Sequence, residues 1–293
     1  MEKLDDRIRE DLTFLFQGKE IERAVDLSRN MEMPFSTRGE PAHFFGDRNA
    51  STVMVMLNPG CDAKKADKKF KEVSKNWNRK SLGAFIKSYK QTKIKGTKCE
   101  SEKGKLDSFD VKQSVFLKSW YGCEIDFPKD YESKENKLKA CECVLQQKLQ
   151  LELVPFASRT FTPNANQRKY LIPYLNDCLE EIFSKERKYV VFCGRIFEQL
   201  FKDACTKKII DNLTIDKKKV SLKKKKQTGG LNAWCCVVRF DYGNQKRKVL
   251  IAHTFASQAL TNAYELMGQY GKFCYTTFKR CKILNKGIKY EIL

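Results

Sequence analysis

The chain has 293 residues, 41% of them hydrophobic, which is enough apolar surface for one large domain or two small ones. It carries 57 Lys+Arg against 36 Asp+Glu, a formal net charge of +21. Such an excess attracts polyanions, of which nucleic acid is the commonest. No apolar run approaches the roughly 20 residues that span a bilayer, and "MEKLDDRIREDL" lacks the charged-then-apolar pattern of a secretory signal, so a cytoplasmic protein is expected rather than a membrane-embedded or secreted one.

In chain order, residues 1–30 read as helix, with apolar positions at three- and four-residue spacing in "DRIREDLTFLF" and "EIERAVDLSRNM". "MPFSTRGEPAHFFGDRNAS" follows as a turn-rich passage. "TVMVML" is short, continuously apolar and partly β-branched, the pattern of a strand buried on both faces. A lysine-rich, largely helical insertion is expected over about 62–150, and "LELVPF" (151–156) is the next strand. A helix over "NQRKYLIPYLNDCLEEIFSKE", a strand at "KYVVFCG" and a helix at "RIFEQLFKDAC" come next. The lysine block "KKKVSLKKKK" (217–226) and "TGG" read as a loop leading into "NAWCCVVRFDYGNQKRKVLIAH", where Gly243-Asn244 predicts a hairpin. "SQALTNAYELMGQYGKFCYTTFKRC" closes with helix. Strands alternating with helices predict an α/β fold, a three-layer sandwich with a mostly parallel central sheet, in one domain spanning 1–293.

The charge is patched rather than smeared. Residues 62–119 hold 17 basic against 7 acidic residues, a net of +10, and the lysine block adds +7 without an acid. Patches of this kind suit a phosphate footprint. The 12 cysteines lack paired C-x2-C spacing and several sit inside apolar strands, so they read as core thiols, and no metal or other cofactor is expected.

In parallel α/β sheets ligands bind beyond the carboxyl ends of the strands, and three predicted strand ends carry unusual chemistry. Asn58 leaves "VMVMLNPG" just before Pro59 and Gly60. Pro59 holds Asn58 extended, and Gly60 permits close backbone approach, so the loop can aim an amide at a ligand. Asn-Pro-Gly is equally ordinary turn sequence. His253, one of only two histidines, follows the apolar strand "KVLIA". It is compatible with a ligand-facing group or with a satisfied histidine at a strand terminus. In "LELVPFASRTFTPN", Phe156 and Phe161 lie beside Ser158 and Arg159, a combination that can stack on a planar base while reading its edge, or that can serve as core aromatics beside a surface arginine.

These segments resemble the uracil-DNA glycosylase superfamily. "HFFGDRNAS" followed by a strand ending "NPG" is similar to its first active-site motif in the branches that carry Asn rather than Asp. "YVVFCGRIFEQLF" is similar to its strand–Gly–helix segment, and "VLIAHTFASQAL" to its final motif, usually His-Pro-Ser followed by a helix. The resemblance spans roughly residues 41–270 with the motifs in order. It implies a uracil-DNA-glycosylase-like fold and excision of a base flipped out of DNA, single- or double-stranded, with the backbone gripped by its phosphates. By motif, Asn58 would orient the attacking water or contact the base, and His253 would stabilise charge on the departing base. Pro59, Gly60, Cys61, Phe156 and Ser158 would line the base pocket. Lys64, Lys65, Arg159, Lys223, Lys224 and Ser257 would meet DNA. No obligate protein partner is implied.

The chain departs from the uracil-specific branch. The Asp-Pro-Tyr loop is absent, and beyond Gly60 stands the small Cys61 where a tyrosine would exclude pyrimidines substituted at C5. No specificity asparagine is evident in "LELVPFAS", Thr254-Phe255 replaces Pro-Ser after the histidine, and the cysteines of the iron–sulfur branch do not appear. The expectation is therefore a monofunctional glycosylase acting on a C5-substituted cytosine in foreign or phage DNA. The alternatives are a uracil or mismatch enzyme of base-excision repair and a non-catalytic DNA-binding protein on the same fold. A nuclease would need a carboxylate cluster for Mg²⁺, and the strand ends offer little beyond Asp47 and Asp241.

Overall fold

The computed structural model describes residues 3–94, 108–121, 147–223, 230–255 and 264–281. One sheet of seven strands organises them: β1 (Phe44–Gly46), β2 (Thr52–Met56), β3 (Lys148–Glu152), β4 (Tyr189–Cys193), β5 (Asp211–Lys223), β6 (Gly230–Tyr242) and β7 (Gln245–Ala252), in the order β1-β3-β2-β4-β7-β6-β5. The four central strands β3, β2, β4 and β7 run parallel. β1 pairs antiparallel with β3 at one side, and β6 and β5 add antiparallel at the other. The sheet is thus mixed, three parallel pairings and three antiparallel, where a mostly parallel sheet was expected. The difference comes from β1 and β5, whose sequences read as turn and loop.

Eight helices lie among the described residues: α1 (Lys3–Phe16), α2 (Glu22–Met31), α3 (Ala63–Val73), α4 (Leu82–Ile94), α5 (Ser108–Tyr121), α6 (Ile172–Phe183), α7 (Arg195–Lys202) and α8 (Tyr264–Arg280). The short strands β2 and β4 are buried along their whole length, which is why their sequences are continuously apolar. Their side chains alternate between two apolar clusters. Val53, Val55, Val190 and Phe192 join residues of α1, α2, α4, α6 and α7. Met54, Met56, Val191 and Cys193 join α5 and α8. Helices therefore cover both faces of the sheet.

The second face depends on a close helix crossing. A Cβ on Gly271 of α8 would lie 2.9 Å from the carbonyl carbon of Phe116 in α5, so only glycine lets these backbones meet. Around the crossing Phe116 packs on Tyr270, and Trp120 on Phe278. In an open helix Gly→Ala stabilises by about 1 kcal/mol. Here the sign reverses: Gly271→Ala is expected to destabilise by about 1–3 kcal/mol, because the helices must part. A thermal melt showing an unchanged or raised midpoint would refute the crossing.

β3 carries a buried polar ladder on its α5 side. Lys148 Nζ contacts Gln113 of α5 and donates to Gln150 Oε1 at 2.9 Å, and Gln150 Nε2 donates to Glu152 Oε1 at 2.7 Å. Burial pushes the Glu152 carboxyl up to about 8, against the lowering influence of Gln150 and Lys148, so the neutral acid prevails at pH 7. The unfolded chain gives up this proton near the ordinary value of 4.5 and the folded chain near 8. Stability from this group is therefore complete below about pH 4.5 and lost as pH rises through 8. Glu152→Gln, which mimics the neutral acid, is expected to remove that decline and to stabilise the fold by on the order of 3 kcal/mol at pH 8. Denaturant titrations of both proteins at pH 5 and pH 8 measure it.

Candidate functional site

The four parallel strands end at one edge of the sheet, and the candidate residues stand there. The β2–β3 ladder continues past both strands, since Leu153 N–H donates to Met56 O and Val154 N–H to Leu57 O, each at 2.9 Å. Asn58 thus leaves a backbone that is still paired. The Pro59 carbonyl then gathers the two loops: it accepts from Cys61 N–H at 2.9 Å, Ser158 N–H at 3.1 Å and Asn58 Nδ2 at 3.2 Å. Asn58 Nδ2 also donates to Ser158 O at 3.1 Å. Both amide protons are therefore committed to backbone oxygens. Oδ1, with no hydrogen-bond partner among the described residues, remains an acceptor at the edge.

β4 lies between β2 and β7, and it ends in Gly194. That residue has φ +144° and ψ 146°, a conformation open in practice only to glycine. Its N–H donates to Ala252 O at 2.9 Å, and a Cβ would fall 3.2 Å from Leu57 Cδ2. A side-chain-free residue thus fills the space between the ends of β2 and β7. Asn58 and His253 face an edge only two strand spacings wide, about 10 Å.

His253 is held by two aromatic residues. Its backbone N–H donates to the Tyr270 hydroxyl at 2.8 Å, and that hydroxyl donates onward to Trp234 O at 2.7 Å. Trp234 N–H donates to His253 Nε2 at 3.2 Å, and the two rings lie 4.7 Å apart at 49°. The Lys217 ammonium sits 4.8 Å from the centroid of the Trp234 ring and is paired with Glu198 of α7 at 2.8 Å. Desolvation first and the Lys217 charge second lower the His253 pKa to about 4. The ring is neutral at pH 7. With Nε2 accepting, its proton is on Nδ1. The other histidine, His43, is buried with Nε2 3.0 Å from Asp11 Oδ2, and burial outweighs that partner in lowering its pKa.

Of the residues expected in the base pocket, Pro59, Gly60 and Cys61 form the loop after β2. Gly60 is exposed with open space where a Cβ would stand, and Cys61 is exposed. Ser158 is buried and contributes its backbone, while its hydroxyl donates to Thr160 O. Phe156 is corrected: it is 1% exposed and meets Tyr174 edge-on, so it belongs to the core and offers no free face to a base. Phe161, half-buried against Phe35, is the more open ring of the pair. Lys64 and Lys65 are exposed in the first turn of α3, whose N-cap Asp62 accepts from Lys65 N–H, and Arg159 is exposed beside Ser158. Lys223 is exposed at the end of β5, a strand where a loop was expected. Lys224 and Ser257 lie outside the described residues. No group of His, Cys, Asp or Glu among the described residues is arranged to hold a metal ion, and no described helix is long and apolar enough to cross a membrane.

Gly194, Trp234, Tyr270 and Lys217 complete the site without having been singled out as site residues. Gly194 could have been found from a glycine interposed between an apolar strand and a helix. Trp234 and Tyr270 give no local signal, because each reads as one more aromatic in a strand or helix. No family model, characterised protein or solved structure matches the chain.

The arrangement makes the state of His253 measurable. By NMR its ring is expected to titrate with a midpoint near pH 4. Removing the neighbouring cation by Lys217→Gln should move that midpoint upward. The folded pKa is depressed, so the stability from the neutral ring is present above about pH 6.5 and is lost as pH falls toward 4. A midpoint near 6.5 in the folded protein would contradict the assigned burial and hydrogen bond.

Proposed function

We propose that the chain is a DNA glycosylase with a three-layer, uracil-DNA-glycosylase-like fold. It flips out a C5-substituted cytosine of foreign or phage DNA and hydrolyses the N-glycosidic bond to leave an abasic site. One observation carries the reading: Asn58 with a free acceptor oxygen and His253 with a neutral Nδ1–H stand at the ends of β2 and β7, across the bare Gly194. The order of motifs along the chain and the helices on both faces of the sheet support it.

Cleavage of an N-glycosidic bond passes through an oxocarbenium-like sugar, by analogy with glycoside hydrolysis, while negative charge grows on the departing base. Asn58 has no carboxylate to act as a base. Its fixed amide leaves Oδ1 to accept a hydrogen bond from a water or from the base edge, so its contribution is positioning. His253 donates from Nδ1 to the oxygen on which charge develops. A neutral donor held in place before the reaction stabilises that charge without reorganising. The open space at Gly60 and the small, exposed Cys61 leave room for a substituent at C5.

The test is to incubate the protein with duplexes carrying cytosine, C5-substituted cytosines or uracil, and to identify released free bases by mass spectrometry. Release of a C5-substituted cytosine is expected. Asn58→Ala and His253→Ala should each slow it by about 10²–10³-fold while DNA binding persists. Rapid release of uracil with none of a modified base would sink the substrate assignment. Binding without release from any duplex would leave the non-catalytic alternative.

A further inference from the structure

Residues 217–223 of the lysine block form one strand of a two-stranded ribbon, β5 paired with β6. The β6–β7 ladder ends at Cys236↔Ile251, whereas the β5–β6 ladder runs on through six more pairs, from Lys218↔Cys235 to Lys223↔Gly230. β7 ends at the site edge, so these six pairs carry the ribbon about 20 Å beyond that end. One ribbon face is closed: Leu222, Ala233 and Cys235 are buried in the cluster of α8, and Gln269 Nε2 donates to Lys223 O at 3.0 Å. The other face, set by the two-residue period of a strand, carries Lys217, Lys219, Ser221 and Lys223 opposite Trp234 and Asn232. Lys219, Ser221, Lys223 and Asn232 are exposed there. Glu198 is matched to Lys217, while Lys219 and Lys223 have no acidic partner among the described residues. The foot of this face is Trp234, the residue that holds His253.

We propose that the open face of the β5–β6 ribbon is a backbone grip, with Lys219 and Lys223 on phosphates of the DNA whose base enters the site at His253. This inference rests on the glycosylase reading for the identity of the polyanion, and it adds the element that holds it. A flipped nucleotide must be drawn out against a duplex fixed on both sides. Lys219 and Lys223, four residues and so about 13 Å apart along the strand, match about four base steps at roughly 3.4 Å per strand. Backing by α8 keeps the ribbon from yielding when the strand is pulled. Seryl and amide side chains between the lysines, Ser221 and Asn232, are further donors to phosphate oxygens.

Binding of the full chain to a 20-base-pair duplex, measured from 50 to 300 mM salt, tests the proposal. The double variant Lys219→Ser/Lys223→Ser should show a log K against log[salt] slope shallower by about 1.8, or about 0.9 for each phosphate that is no longer neutralised. Its Kd near 0.1 M salt should rise by tens of fold. Lys207→Ser/Lys208→Ser, two exposed lysines just before β5 at the opposite edge, removes equal charge and should leave the slope nearly unchanged. Equal slopes for the two double variants overturn the ribbon, even if base release is observed. A ribbon-dependent slope without base release from any duplex keeps the ribbon and sinks the glycosylase reading. Tighter, ribbon-dependent binding of an RNA duplex of the same sequence overturns the assignment to DNA.

Discussion

The Tyr270 hydroxyl, wedged between Trp234 C=O and His253 N–H, decides the shape of the candidate site. In a continuous antiparallel ladder those two backbone groups would face each other as the next rung after Cys236↔Ile251. With the hydroxyl between them, β7 ends and its chain turns away, while β6 continues with β5 alone. The parting re-partners three of the groups it exposes. The tyrosine takes the carbonyl and the N–H, and the remaining Trp234 N–H goes to the imidazole. Buried polar groups left without partners cost about 1–3 kcal/mol each, so this exchange is what allows a strand pair to separate inside a closed structure. It also fixes the tautomer of His253, because a backbone donor on Nε2 leaves only Nδ1 to carry the proton.

A comparable arrangement operates at the end of β2. The carbonyl of Pro59 and that of Ser158 absorb both protons of the Asn58 amide, and the backbone of Ser158 closes the loop from the other side. An Asn at a strand end that was merely turning the chain would have no need of two acceptors from different loops. Here the amide cannot rotate without breaking both bonds, so the orientation of Oδ1 is set by the fold rather than by a ligand. Gly194 connects the two halves: its unusual backbone lets β4 finish without a side chain against Leu57, and its N–H ties it to Ala252 one residue before His253.

Much of the fold was legible in the sequence because burial leaves a simple mark. β2 and β4 read as unbroken apolar runs since both faces of each are covered, and Gly243-Asn244 announced the β6–β7 hairpin. β1 was illegible because three residues beside Gly and Asp carry no period. β3 begins at Lys148, three residues before the expected start, because Lys148, Gln150 and Glu152 alternate with Leu149 and Leu151. Such alternation signals a wet face, yet these polar residues are buried and hydrogen-bond to one another, with Glu152 Oε2 left without a partner among the described residues. β5 was missed because a run of lysines suggests a loop, whereas an edge strand is where lysines are useful: charge along unpaired N–H and C=O groups discourages other chains from adding on. Asn58 and His253 were readable as strand-end residues from their places after apolar runs. Phe156 was misplaced because sequence order cannot say which of two nearby aromatics turns inward. Trp234 and Tyr270 escaped notice because their roles lie in hydroxyl and backbone groups that any sequence position could supply.

The two basic surfaces acquire a geometry from the strand order. α3, with Lys64 and Lys65 in its first turn, follows β2, while the ribbon extends β5 and β6 beyond β7. Asn58 lies at the end of β2, on the chain leading into α3, and His253 follows β7, next to β6 of the ribbon. A charge excess gathered on one side of a cleft would draw a polyanion past it. Charge placed on both sides favours a polyanion that crosses it, because the potential from both patches adds over the site and is screened over only about 8 Å at physiological salt. The lysines that defend the edge of the sheet and the lysines that suit a phosphate row are the same residues on β5. With the proposed grip, one strand meets two demands, and removing its charge would expose a bare edge as well as weaken that grip. Substitution by serine in place of an apolar residue separates those effects, because it removes charge without adding the apolar surface that promotes edge pairing.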